Sequence, residues 1–260
     1  ELIRAAANHV FKVLEVIGVN LARTKFVYAE ELVSRVEYWE KVLRIAKSST
    51  LQRVRRALTI MGRRADEAEM DVSKLIYPLM QVADIFELDL DIALGGIDQR
   101  KAHMLARDVA EKLGFKKPIA IHTPLIPSLS GTGRMDLKGL DIDELAAETK
   151  MSKSKPESAR FVTDTDEEIV RKIRAAYCPP RAIEGNPIIA IARYIIFADP
   201  KKKMKVERKP EYGGDIEITS PEELEKLYSE GKIHPLDLKN AVAEELIRIV
   251  KPIRSALMSD

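Results

Sequence analysis

The sequence predicts an α/β protein in which a parallel sheet of nucleotide-binding type precedes a mainly α-helical part. Between residues 90 and 121 an apolar run, a helical pattern and a second apolar run follow one another. That is the order of a strand, a crossover helix and a parallel strand. After Thr165 the composition changes to a series of capped helical patterns. We therefore predict two domains, residues 1–163 and 164–260.

Composition excludes several classes of protein. The chain has 260 residues, of which 45% are hydrophobic and 32% charged, proportions typical of a soluble protein with two modest cores. No run approaches the ~20 apolar residues of a membrane span. The single Cys178 excludes an intramolecular disulfide framework, and with only four histidines it argues against a zinc site. These features fit the reducing cytoplasm.

The net charge of +2 conceals two basic clusters, at residues 53–64 and 201–209. Each cluster fits contact with an anionic polymer, and each fits an ordinary solvated face equally well.

The first third of the chain reads as packing elements. Apolar residues at helical spacing predict helices over residues 2–17, 33–45 and 51–61. The second of them carries the only tryptophan, Trp39. A short strand is predicted at Phe26–Ala29.

The next helix has polar residues where a core helix should be apolar. If Pro78 occupies its first turn, Tyr77, Gln81 and Asp84 follow at i, i+4 and i+7 on one face. This face is interpreted as part of a substrate pocket.

A strand-helix-strand unit comes next. Residues 90–94 predict a strand that is buried on both faces and ends at Gly95-Gly96. A helix over residues 99–113 and a strand over 119–121 complete the unit, and His122 follows. Ligands bind at the carboxyl ends of such parallel strands.

A long connection joins this unit to the second domain. The connection, residues 124–149, is interpreted as a lid or a folded insertion, with a helical turn or two at 141–147; the purpose of the insertion at 128–149 stays open. Lys150-Met151-Ser152-Lys153-Ser154 then predicts a mobile loop that contacts phosphate.

The second domain begins at a capping box, Thr165 with Glu168, which opens a helix over residues 166–176. Further helices are predicted at 187–197, after Ser220, and from Pro235 to the end, where Pro252 introduces a kink.

Three of these constellations together resemble class I aminoacyl-tRNA synthetases, specifically the tyrosyl-tRNA synthetases of archaeal and eukaryotic type. The matching strings are KMSKS at 150–154, Tyr77-x3-Gln81-x2-Asp84 followed by GG-x-DQR at 95–100, and HPLDLKNA at 234–241. The second signature of that class, H-x-G-H, is absent. We therefore expect the N-terminal half of the nucleotide fold to lie outside this sequence.

The resemblance implies a fold, a reaction and partners. The fold would be the C-terminal part of a Rossmann-like catalytic domain with dimerisation helices, followed by an anticodon-binding domain. ATP, with Mg2+, would activate L-tyrosine as tyrosyl-adenylate, and the tyrosyl group would pass to tRNA(Tyr). A homodimer is implied, with no membrane, no tightly bound cofactor and no zinc.

The resemblance also assigns residues to tyrosine. Tyr77, Gln81 and Gln99 would hold its backbone groups, and Asp84 would accept a hydrogen bond from its hydroxyl. A buried acceptor that phenylalanine leaves unpaired disfavours that competitor. The alternative for each residue is an ordinary polar contact between helices.

Other residues are assigned to ATP. Gly96 would allow close approach of the nucleotide sugar, Asp98 would bind ribose hydroxyls, and Met151 would lie near adenine. Lys150 and Lys153 would supply catalytic cations at the departing pyrophosphate. His122 either borders the nucleotide or packs.

In the second domain, Tyr212 would stack on an anticodon base and Asp237 would read a guanine edge. A packed tyrosine and a first-turn aspartate are the alternatives.

Two other functions remain open at this stage. Tryptophanyl-tRNA synthetases share the fold and the KMSKS loop, although Asp84 favours tyrosine. A non-catalytic tRNA-binding module derived from a synthetase would lack H-x-G-H altogether.

Overall fold

The computed structural model describes residues 1–58, 71–131, 151, 159 and 162–258. The chain forms two compact units. The sheet unit is Phe26–Leu125. The helical unit combines Glu1–Lys25 with the described residues from Ile126 onward. The domain boundary at residue 163 stays a prediction.

The helices and strands follow one another in the order expected for an α/β fold with an appended helical part. Within the described residues they are α1 (Leu2–Val16), α2 (Ala29–Val33), α3 (Val36–Lys47), α4 (Leu51–Ala57), α5 (Val72–Glu87), β1 (Ile92–Gly96), α6 (Arg100–Leu113), β2 (Ile119–Thr123), α7 (Asp166–Ala175), α8 (Pro187–Tyr194), β3 (Met204–Val206), β4 (Ile216–Ile218), α9 (Pro221–Ser229) and α10 (Pro235–Met258).

The sheet unit confirms the predicted parallel strand-helix-strand arrangement. β1 pairs with β2 in register Ile92↔Ile119 to Gly96↔Thr123, and α6 forms the crossover. Its core is formed by α3, α4, α5 and α6 with Ala93 of β1, and Tyr38, Val82 and Leu105 are fully buried. The carboxyl ends of both strands therefore lie side by side.

The prediction that β1 is buried on both faces is wrong. Ala93 is buried, but its neighbours Ile92 and Leu94 are 50% and 68% exposed. Adjacent strand residues point to opposite faces, and α6 contacts the strands. Among the described residues only the Ala93 face is covered.

Two local predictions also need correction. The strand predicted at Phe26–Ala29 is wrong: residues 26–28 belong to no helix or strand, and Ala29 opens α2, where the Glu31 carboxylate accepts a hydrogen bond from the Tyr28 N–H at 3.4 Å. Pro78 does not lie in the first turn of α5. That helix begins six residues earlier, at Val72, where Asp71 caps it by accepting the Lys74 N–H at 3.1 Å.

The helical unit has its own core, and the capping box predicted for α7 is confirmed. Thr165 Oγ1 accepts the Glu168 N–H at 3.2 Å, and Glu168 Oε2 accepts the Thr165 N–H at 2.8 Å.

Helix α10 continues through Pro252. The antiparallel hairpin of β3 and β4 was not predicted; its residues Met204, Val206 and Ile218 are fully buried.

Some predicted features lie outside the described residues: the helical turn at 141–147 and, in the KMSKS segment, every residue except Met151. In the part of the chain that is described, no helix combines the length and the apolar character needed to cross a membrane.

Candidate functional site

The predicted polar face of α5 is present. Tyr77 is 52% exposed, and Gln81 is partly buried. Gln81 Nε2 donates a hydrogen bond to Gln99 Oε1 at 2.8 Å, which brings together two residues assigned to the same ligand. Gln81 Oε1 is buried and accepts no hydrogen bond from the described residues. A buried acceptor of this kind is costly unless a ligand supplies a donor, and an ammonium group would do so.

Asp84, one turn further along α5, is held by a residue from α3. The Tyr38 hydroxyl donates to Asp84 Oδ1 at 2.7 Å and lies 3.1 Å from the Met80 carbonyl oxygen. Burial raises the pKa of Asp84, and the hydrogen bond from Tyr38 opposes that rise. Burial, followed by contact with Asp84, raises the pKa of Tyr38, so its hydroxyl stays a donor.

Two ion pairs fix α3 on α5 beside this contact. Glu87, whose side chain is almost completely buried, pairs with Lys41 at 2.6 Å and with Arg35 at 2.5 Å. The hydrogen bond from Lys41 is the main reason that the pKa of Glu87 is lowered. Tyr38 therefore contacts Asp84 from a helix that is anchored independently of it.

Gly96, the last residue of β1, allows other atoms to approach the backbone closely. A Cβ on Gly96 would lie 2.6 Å from Asp98 Oδ1 and 2.9 Å from Leu125 Cδ2, so only glycine fits without displacement. Asp98 itself is 6% exposed. The backbone at the carboxyl end of β1 and the Asp98 carboxylate are thus in direct contact.

Two histidines meet at the same end of the sheet. His103 Nδ1 and His122 Nε2 are 3.0 Å apart, and burial, followed by the charge of His122, lowers the pKa of His103. The sequence left the role of His122 open and gave none to His103. The sequence feature that could have identified His103 is its position on the buried stripe of α6. Tyr38 was missed in the same way, although it shares the buried stripe of α3 with Val42 and Ile45.

The loop assigned to ATP is represented by Met151, whose N–H donates to the Ile126 carbonyl at 3.0 Å. Lys150 and Lys153 lie outside the described residues. No cluster of three or more His, Cys, Asp or Glu side chains in the described ranges is arranged to hold a metal ion.

In the helical unit, Tyr212 and Asp237 line one cleft of about 680 Å³. Tyr212 is 66% exposed. Arg181, Lys209 and His234 also line this cleft. The structure therefore brings together the two residues that the sequence assigned to one RNA element.

Several described residues of the two basic clusters form ion pairs within the protein. In the second cluster, Lys202, Lys203 and Lys205 pair with Glu245 at 2.6 Å, Glu217 at 2.7 Å and Asp215 at 2.8 Å. In the first, Arg53 pairs with Asp108 at 2.8 Å. Their contact with RNA phosphate stays a prediction.

This chain is similar to a known family of proteins. The family of class I tRNA synthetases for tryptophan and tyrosine matches residues 3–136 and 141–251. A tyrosine–tRNA ligase of Aeropyrum pernix is 64% identical over 260 residues, which is 100% of this chain and 71% of that protein.

Solved structures of tyrosyl-tRNA synthetases also match this chain. The crystal structure of tyrosyl-tRNA synthetase from Aeropyrum pernix matches with a TM-score of 0.84 and 57% identity, over 100% of this chain and 70% of that one. The structure of the Pyrococcus horikoshii tyrosyl-tRNA synthetase complexed with L-tyrosine matches with a TM-score of 0.85 and 45% identity, over 95% of this chain and 69% of that one.

Proposed function

The chain belongs to the family of class I tRNA synthetases for tryptophan and tyrosine, and from this premise we propose how it ligates tyrosine to tRNA. The observation that carries the proposal is the face of α5. There the partly buried Asp84 carboxylate and the unpaired Gln81 Oε1 lie one turn apart.

These two groups suit the two ends of tyrosine. The substrate ammonium would donate to Gln81 Oε1, with Tyr77 and Gln99 beside it. The substrate phenol would donate to Asp84. Burial makes each acceptor costly to leave unpaired, so a ligand that satisfies both is favoured. Tryptophan offers no hydroxyl to Asp84, and for this reason we favour tyrosine over tryptophan.

ATP would bind at the glycine turn. Gly96 lets the ribose approach the backbone, and Asp98 accepts its hydroxyl hydrogen bonds. Lys150 and Lys153 would place cations at the β- and γ-phosphates, and Met151 would lie near adenine. Mg2+ would enter with ATP and neutralise phosphate charge. We propose no separate metal site on the protein.

The reaction has two steps. An oxygen of the tyrosine carboxylate attacks the α-phosphorus of ATP, the bond to the β-phosphate breaks, and pyrophosphate leaves with that electron pair. A terminal ribose hydroxyl of tRNA then attacks the tyrosyl carbonyl and AMP leaves. The protein supplies position and charge rather than a nucleophile.

The cleft in the helical unit would take the anticodon. Tyr212 is exposed enough to stack on a base, and Asp237 can accept hydrogen bonds from the donor edge of guanine. A tRNA substrate and the unpaired thiol of Cys178 suit the reducing cytoplasm.

A homodimer is proposed from the outer face of α3. Val36, Trp39 and Leu43 recur at helical spacing and are exposed, whereas Tyr38, Val42 and Ile45 are buried. An exposed apolar stripe opposite a buried one is typical of a helix that packs on two sides.

Amino-acid-dependent exchange between ATP and pyrophosphate tests the activity. We expect the full-length protein to exchange with tyrosine and to show little exchange with phenylalanine or tryptophan. Exchange with tryptophan and not tyrosine would contradict the proposal.

A further inference from the structure

We propose that Tyr38 is a specificity-determining positioning residue, which holds the Asp84 carboxylate in the orientation that recognises the substrate hydroxyl. The proposal deepens the proposed function and rests on the role of Asp84 in tyrosine binding. Tyr38 lies on α3, 46 residues before Asp84 in the chain, and was given no role by the sequence.

The contact is well defined. Tyr38 is completely buried, and its hydroxyl donates to Asp84 Oδ1 at 2.7 Å. The same hydroxyl lies 3.1 Å from the Met80 carbonyl oxygen, one turn before Asp84 on α5. The Tyr38 hydroxyl thus lies between two acceptor oxygens of the same helix, which fixes its position relative to α5. Tyr38 is therefore a fixed donor, and Asp84 is the group that it restrains.

The restraint acts on both oxygens of the carboxylate. Rotation about the Cβ–Cγ bond of an aspartate is soft, so its oxygens are not fixed by rotamer preference alone. When Tyr38 holds Oδ1, the position of Oδ2 is fixed as well. Oδ2 is then the oxygen available to a second hydroxyl donor, and the substrate phenol is such a donor.

The surroundings show that this is more than a packing contact. The ion pairs of Glu87 with Lys41 and Arg35 already anchor α3 on α5. The edge-to-face contact of the Tyr38 ring with Trp39, at 5.8 Å between centroids, lies within α3. The two ion pairs join α3 to α5 without the Tyr38 hydroxyl. Its distinctive effect is on the orientation and charge of Asp84.

The test is Tyr38→Phe in the full-length protein, which keeps the ring and removes only the hydroxyl. In ATP–pyrophosphate exchange, kcat/KM for tyrosine should fall about tenfold, because the Asp84 carboxylate must then be ordered when the substrate hydroxyl binds. The loss should appear mainly in KM, since the reacting groups are untouched. For phenylalanine, which has no hydroxyl, kcat/KM should stay within about twofold.

The control is Tyr228→Phe. Tyr228 is also completely buried, and its hydroxyl donates to the Pro179 carbonyl at 2.9 Å within the helical unit. This variant should lower the melting temperature and leave the ratio of kcat/KM for tyrosine over phenylalanine unchanged. If Tyr38→Phe lowers the values for both amino acids equally, as loosening of the core would, the proposal is overturned.

Asp84→Asn separates this inference from the proposed function on which it rests. If that variant leaves the tyrosine/phenylalanine ratio unchanged, the role of Asp84 fails and the inference fails with it. If Asp84→Asn collapses the ratio while Tyr38→Phe does not change it, only the inference fails. In the double variant, Tyr38→Phe should cause no further fall in the ratio, because the group it positions is already changed.

Discussion

At the scale of single residues, the charge on Asp84 is set by two opposing effects. Burial raises its pKa and the Tyr38 hydroxyl lowers it. Glu87, one turn further along α5, pairs with both Lys41 and Arg35. Burial is the larger of the two effects, and the hydrogen bond from Tyr38 is the one that lowers the pKa of Asp84.

This balance predicts a pH effect. If the ionised form of Asp84 accepts the substrate hydroxyl, kcat/KM for tyrosine falls as pH drops through the pKa of Asp84. Tyr38→Phe removes the contact that lowers this pKa, so the acidic limb of the profile should move toward neutral pH. The measurement is kcat/KM for tyrosine in pyrophosphate exchange from acidic to neutral pH. A limb that stays at the same pH in wild type and variant would contradict the assignment.

The sequence was sufficient for some site residues and insufficient for others. Tyr77, Gln81 and Asp84 follow from the spacing within one helix, and spacing is a local property. Tyr38 and the His103–His122 pair depend on which elements pack together. A buried tyrosine on an apolar stripe looks the same in the sequence whether its hydroxyl meets a carboxylate, as in Tyr38, or a backbone carbonyl, as in Tyr228.

At the scale of secondary-structure elements, the first turn of α7 is defined by two reciprocal hydrogen bonds between Thr165 and Glu168. They satisfy N–H groups that have no partner inside the helix. Residues of α7, including Ile169 and Ile173, belong to the core of the helical unit. A frayed first turn would therefore weaken that core.

We predict that Thr165→Ala lowers the free energy of unfolding by about 1 kcal/mol, the usual effect of losing such a cap. Urea denaturation followed by circular dichroism measures it. Thr163→Ala is the matched control, since Thr163 is exposed and no hydrogen bond of its side chain is found among the described residues. Equal losses for the two variants would remove the capping box as the cause.

Elements that the sequence missed share a physical reason. The β3–β4 hairpin consists of two strands of three residues each, too short for an alternating pattern to be recognised, and β3 lies within a lysine-rich stretch. Conversely, Phe26–Tyr28 has strand-forming residues but is followed at once by a helix that begins at Ala29.

At the scale of the whole molecule, the parallel topology followed from the order of elements, but the burial of surfaces did not. The paired residues Ile92 and Ile119, like Leu94 and Ile121, are apolar and exposed on one face of the sheet. An apolar run in the sequence predicts that its side chains are buried, but it does not identify the element or partner that covers them. The outer face of α3 presents the same question, and a second copy of the chain is the proposed answer.

Leu43→Glu tests that answer. Leu43 is 69% exposed, so the substitution should leave folding of the sheet unit intact. In a dimer it would bury an unpaired carboxylate at an apolar contact, which should weaken association by about a hundredfold or more. Sedimentation at micromolar concentration should then show a dimer for wild type and a monomer for the variant. Leu2→Glu, on the exposed surface of α1, makes the same chemical change on a different helix and should leave the dimer intact. If the Leu43→Glu variant sediments like wild type, the dimer contact lies on another surface, because an unpaired carboxylate buried in the contact would weaken association.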